Sequence, residues 1–173
     1  QVSINLVDFD VTPPHLAFDV IAEEAEKRGL RVTGSELVGL IPLEAMLKAG
    51  RHYLTKQGQS LGLPERQLVE TAIQSLGLRE ISEFDPDEKI IEYRLARETA
   101  GLVSRTVTGF ADELSSDSPA PGGGSVAALS GALSAGLSAM IGNLTHGLKG
   151  HEQAWEAMSS LAASAQGKKG WYL

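Results

Sequence analysis

The segment from Ser125 to Gly142 contains no charged residue and is built mostly of Ala, Ser, Gly and Leu. Few folds accept such a run. It has no face that water would hold outward, and its small side chains let another backbone come close. Ala127, Gly131, Ala135 and Ala139 recur every four residues and predict a smooth helical stripe for close helix packing. A membrane span is the competing reading. Ser125, Ser130, Ser134 and Ser138 recur through the run and large aliphatic residues are sparse, so we read a buried helix of a soluble bundle, not a membrane segment. The bundle can close within one subunit or across a dimer. A stripe left uncovered predicts poor solubility.

The remaining composition narrows the function. The 173 residues suffice for one ordinary domain or two small ones. Net charge is −7 and no Lys/Arg cluster occurs, which argues against duplex nucleic acid as a partner. The absence of cysteine excludes disulfide scaffolds, thiolate metal sites and cysteine nucleophiles, and is compatible with a cytoplasmic protein. No secretory signal opens the chain. Gln1 already lies in a strand-like run, which reads as an N-terminus cut from something longer.

In Gln1 to Asp8, Val2, Ile4 and Leu6 alternate with Ser3, Asn5 and Val7, the period of a half-buried strand. Thr12 before Pro13 and Pro14 predicts a helix start, and Gly29 its end. Leu30 to Leu40 reads as a second strand. Pro42 and Pro64 open two further helices, and Gly77 closes the second. Asp85-Pro86-Asp87-Glu88 is a helix-start signature, with a short helix preferred over a strand for the residues after it. Glu98 to Leu114 has an amphipathic helical pattern. Ser115 to Gly124 is a loop, a long helix runs from about Ser125 to Gly147, and a last one starts near His151. The character of the chain changes between residues 96 and 100. We therefore expect two domains, 1–97 and 98–173. The strand-helix-strand order of the first suggests an α/β or α+β sandwich, and the fold class we expect is α+β (ferredoxin-like αβ sandwich fragment) there, followed by an all-α helical bundle fragment in the second.

Two segments carry a family resemblance. QVSINLVDFDVTPPH (1–15), VTGSELVGLIPLEAML (32–47) and FDPDEKIIEY (84–93) resemble the C-terminal subdomain of glutamate formimidoyltransferases. FADELSSDSPAPGGGSVAALSGALSAGLSAMIGNLTHGLKG (110–150) resembles the opening of the cyclodeaminase/cyclohydrolase family. Their succession is the order of the bifunctional formimidoyltransferase-cyclodeaminase family. The resemblance implies two coupled reactions. A formimino group passes from N-formimino-glutamate to tetrahydrofolate, and the 5-formimino adduct then cyclises to 5,10-methenyltetrahydrofolate with loss of ammonia, in histidine degradation. It also implies a cytoplasmic, dimer-based homo-oligomer with tetrahydrofolate polyglutamate as co-substrate. The family's transferase histidine and cyclodeaminase carboxylate fall outside the matched segments. No catalytic residue is therefore assigned, and the isolated chain is expected to be inactive.

Pro121, Gly122, Gly123, Gly124 and Ser125 precede a helix whose free N–H groups favour anions, and glycines let a ligand approach the backbone. From spacing alone, a folate-tail site and a plain capping loop are equal readings; the resemblance favours the site. No GK[ST] follows, so this is not a P-loop. Gly34, Ser35, Glu36 and Gly39 are the other candidate folate contacts, with Glu36 able to accept from the paired donors of a pterin edge. Its bland alternative, a surface Glu at a strand bend, is the commoner case. Asn143, near His146 and Lys149, can meet folate or simply end a helix. Of the histidines, His15 reads as structural, and His146 and His151 are five apart, a poor ligand spacing. No metal is expected. Gly170 to Leu173 resembles a short run of the transferase's folate-lining part. The competing readings are a reduced transferase fused to a cyclohydrolase-type module, a non-catalytic folate-binding remnant and an oligomerisation remnant.

Overall fold

The computed structural model describes residues 1–96 and 101–173. It forms two compact units, one from Gln1–Gly58 with Pro64–Ala96, the other from Gln59–Leu63 with residues 101–173.

The first unit is built on helices α1 (Pro14–Glu26), α2 (Leu43–Lys56), α3 (Glu65–Ser75), α4 (Pro86–Lys89) and α5 (Ile91–Ala96). Pro42 and Pro64 stand at the N-caps of α2 and α3, where a missing N–H costs nothing. Met46, Val69, Ile73 and Ile90 are its largest fully buried side chains. α2 and α3 approach closely at Gly50, where a Cβ would lie 2.2 Å from the Leu68 carbonyl oxygen. Asp85 caps α4 by accepting from the Asp87 amide at 2.9 Å. Gly29 and Gly77 end α1 and α3 with φ of +71° and +62°, a region that favours glycine. The expected cap at Thr12 does not form: Pro13 holds the N-cap position of α1, without a side-chain cap.

The α+β ferredoxin-like sandwich expected for this part is not what forms. Among the described residues there is no strand, and the one β-type pairing is an isolated parallel bridge between Ile41 and Ile90. Val2, Ile4 and Val7 are exposed, and the 30–40 run is tied down by Ser35 to the end of α3 and not by a ladder. The reason is general. Alternation marks which face of a segment is apolar, but a strand exists only through hydrogen bonds to a neighbour, and two separate runs do not supply them unless they meet.

The second unit contains α6 (Val107–Leu114), α7 (Gly123–Thr145) and α8 (Trp155–Tyr172), with 3-10 turns at Leu102–Ser104 and Glu152–Ala154. α6 is shorter than the expected 98–114 helix, whose first residues up to 100 lie outside the described residues. Thr106 leaves the helical conformation and caps α6, accepting from the Gly109 amide at 3.0 Å. α7 and α8 are antiparallel: Gly142 faces Met158 and Ala162, whereas Gly131 faces Tyr172. The packed face of α7 carries Ala132, Ala139 and Gly142. Of the predicted stripe, Ala139 is buried and Ala127 is exposed. Leu133, Leu137, Met140, Ile141 and Leu144 are exposed on α7. By length and composition α7 alone among the described helices could cross a membrane.

Candidate functional site

The glycine loop is best understood from the start of α7. Gly122 is the N-cap and no side chain caps the helix, so the first-turn amides are not met by a capping group. Pro121 is buried beneath the turn and follows a cis peptide bond. Gly123 and Gly124 are exposed, and a Cβ added at either would meet no atom within 4 Å. Ser125 is half-buried. The turn thus offers open backbone N–H groups at the positive end of a long helix dipole, which suits an anionic group.

Asn143 lies elsewhere. Twenty residues of helix separate it from Gly123, about 30 Å at 1.5 Å per residue. Its Oδ1 accepts from Ser60 Oγ at 2.7 Å, and its Nδ2 donates to the Gly62 carbonyl at 2.8 Å. Gln166 Nε2 also donates to that carbonyl at 3.3 Å, and Leu61 N donates to Ser159 Oγ at 3.1 Å. The 59–63 segment is strapped across α7 and α8, where Gly62 sits so close to Ala162 that a Cβ would come to 2.1 Å. Within the second unit Asn143 is therefore a strap residue with both ends of its amide engaged. His146 Nδ1 hydrogen-bonds the Trp155 carbonyl at 3.1 Å, at the turn between the two helices. The GWYL run forms the end of α8, with the Tyr172 ring against Gly131.

In the first unit, Gly34 and Ser35 are also packed. A Cβ at Gly34 would lie 2.6 Å from Glu80 Cβ and 2.8 Å from the Gly77 carbonyl. Ser35 N and Oγ donate to the Gly77 and Leu76 carbonyls at 3.1 and 2.7 Å. Glu36 and Gly39 are exposed, and Gly39 has φ +96°. Gly34 and Ser35 dock the 30–40 segment, and Glu36 follows them onto the surface. A shallow open depression lies nearby in sequence, lined by Phe18, Ala22, Glu26, Leu30, Arg31 and Val32. None of the candidate residues lines it.

Sequence reasoning missed a dense polar cluster in the first unit. His52 Nε2, Lys56 Nζ and Tyr53 OH converge on Asp19 at 2.8, 2.9 and 3.2 Å, and the His15 ring stacks on His52 at 4.4 Å. The available signal was spacing. His15 and Asp19 are four apart on α1, His52 and Lys56 four apart on α2, so each pair shares a helix face. Burial works against the Asp19 carboxylate, but the hydrogen bonds from Lys56, His52 and Tyr53 and the Lys56 charge outweigh it and hold its pKa below the ordinary value. Among the described residues no three His, Asp or Glu side chains are placed to hold a metal ion.

The chain, with Gly34 and Ser35 packed in its first unit and a glycine turn opening the small-residue α7 in its second, matches two family models in succession. Residues 1–96 match the formiminotransferase domain, and residues 106–170 match the formiminotransferase-cyclodeaminase model. The chain belongs to the formimidoyltransferase-cyclodeaminase family. It is 40% identical over 173 residues to the formimidoyltransferase-cyclodeaminase of Mus musculus, covering 96% of this chain and 32% of that protein. The protein of that name from Dictyostelium discoideum is 43% identical over 155 residues, 88% of this chain and 29% of its own length. That from Gallus gallus is 41% identical over 155 residues, 88% and 28%. The chain thus spans about a third of the length of these relatives.

Proposed function

We propose that this chain is the junction segment of a bifunctional folate enzyme. In that enzyme a formimino group passes from N-formimino-glutamate to tetrahydrofolate, and the product cyclises to 5,10-methenyltetrahydrofolate with release of ammonia. The observation that carries this reading is the succession of the two family matches, 1–96 and 106–170, in one chain. The names of the relatives, each formimidoyltransferase-cyclodeaminase, support it. The co-substrate is tetrahydrofolate, with a polyglutamate tail, and the working protein is a cytoplasmic homo-oligomer built on dimers.

Within this chain the folate contact is the turn Pro121-Gly122-Gly123-Gly124-Ser125. Its open glycines and uncapped amides fit a carboxylate of the glutamate tail, whose charge the α7 dipole favours. Glu36 is the contact for a pterin donor edge, held at the surface by Gly34 and Ser35, with Gly39 shaping the turn beyond it. Asn143 acts through packing. The second reading, a folate-binding or oligomerisation remnant without turnover, draws support from the exposed aliphatic residues of α7.

Calorimetric titration of 5-formyl-tetrahydrofolate polyglutamate into the chain tests the site. Gly123 has helical backbone and open space, so Gly123→Val leaves the fold intact but covers the amides with a branched side chain. Heat of binding in the native chain that disappears in the variant is the expected result. Equal binding by both removes the turn as the contact. Absence of binding in both favours the oligomerisation reading.

A further inference from the structure

The interface between α1 and α2 combines half-buried apolar residues of α1, among them Phe18 and Ile21, with a polar cluster. No residue of α1 is fully buried, and Leu16 and Val20 on it are about half exposed. Its attachment leans on the polar cluster around Asp19 and on the stack of His15 against His52. The rings lie 4.4 Å apart with an interplanar angle of 25°. His15 Nδ1 is buried and has no hydrogen-bond partner.

We propose that the His15–His52 stack is a pH-sensitive latch, which docks α1 on α2 when His15 is neutral and releases α1 when His15 takes a proton. Protonation would put a cation against the His52 ring and would leave a buried N–H without an acceptor. The charged and titratable groups around it do not offset this. From α1, Asp19 favours a charged His15, but its carboxylate is already engaged by His52 and Lys56 and by the Tyr53 hydroxyl. From α2, Lys48 opposes the charge, and it is itself paired with Asp10 of the loop before α1. Burial first, and then His52, hold the His15 pKa below the ordinary histidine value of 6.5. The sign follows. The unfolded helix binds a proton more readily than the docked one, so docking is fully stable above 6.5 and weakens as pH falls below it.

Hydrogen exchange of the whole chain, corrected for intrinsic rates and compared at neutral and mildly acidic pH, reads the latch. The α1 amides should lose protection several-fold on acidification while those of α2 and α3 keep theirs. His15→Phe keeps a stacking ring that cannot ionise and should abolish the difference. If circular dichroism shows that this variant does not fold, His15→Gln takes its place under the same criterion. In the native chain the His15 resonance should titrate below the free-imidazole value. Protection of α1 that is indifferent to pH, an acid loss that persists in the variant, or a His15 that titrates normally would each overturn the latch.

Discussion

Gly142 and Gly136 lie on the same helix, and the structure assigns opposite outcomes to the same substitution at the two positions. In a helix interior Gly→Ala gains about 1 kcal/mol, because the unfolded chain loses freedom and the helix loses a weak point. At Gly136 an added Cβ meets nothing within 4 Å, so Gly136→Ala should keep about 0.5–1 kcal/mol of that gain. At Gly142 the Cβ would lie 2.6 Å from the Met158 carbonyl oxygen, 2.9 Å from Ala162 Cβ and 3.1 Å from Ala162 N. Two of these neighbours are backbone atoms of α8, so the helix as a whole must move away. Overpacking costs about 1–3 kcal/mol, and contact with unyielding backbone puts Gly142 at about 2–3 kcal/mol, above the propensity gain. Gly142→Ala should therefore destabilise the second unit by about 1–2 kcal/mol once the gain is subtracted. Trp155 and Trp171 are the only tryptophans and both lie in α8, so their fluorescence reports this unit alone. In urea the two variants should bracket the native midpoint, roughly 1 M apart for a difference of about 2 kcal/mol. A Gly142→Ala midpoint at or above the native one would refute the close approach of α7 and α8. A destabilised Gly136→Ala would show that the α7 face around Gly136 is covered.

Two further outcomes follow from named contacts. Asn143→Ala removes the partner of Ser60 Oγ and of the Gly62 carbonyl and should cost about 1–3 kcal/mol, with a coupling of about 1 kcal/mol to Ser60→Ala in a double-mutant cycle; additive single effects would break the strap. Asp19 has a folded pKa below its ordinary 3.8, so its contribution is present above that value and is lost as pH falls through the folded one. Asp19→Asn should accordingly weaken the first unit by about 1–2 kcal/mol at neutral pH and flatten its acid unfolding below pH 4, monitored by circular dichroism.

Much of the helical architecture was legible residue by residue. Pro42, Pro64 and Asp85-Pro86 mark helix starts because a proline lacks the donor that a first turn leaves unused, and Gly29 and Gly77 mark ends because αL backbone suits glycine. The apolar faces of α2 and α3 follow the helical period, with Met46, Leu47 and Leu54 buried on one and Leu68, Val69, Ala72 and Ile73 on the other. The break at Thr106, which shortens α6, was less so. A Thr in an amphipathic pattern serves equally as a helix residue or a cap, and its own hydrogen bond to Gly109 decides.

Other features belong to tertiary structure. Alternation in Gln1 to Asp8 describes a face, and whether a strand forms depends on hydrogen bonds to a second segment distant in sequence, which local pattern cannot encode. The stripe of α7 was legible as small residues, but the buried line through Ala132, Ala139 and Gly142 depends on how α8 lies against it. Asn143 looks the same in sequence whatever it meets; that its amide reaches Ser60 and Gly62 is set by how the 59–63 segment lies on α7. The cluster of His15, Asp19, His52 and Lys56 was implicit in two four-residue spacings. That the two faces meet, and that one imidazole nitrogen is left buried without a partner, is settled by the packing of α1 on α2. Sequence determines which face each helix presents, because side-chain direction follows the helical period; packing alone decides what that face meets.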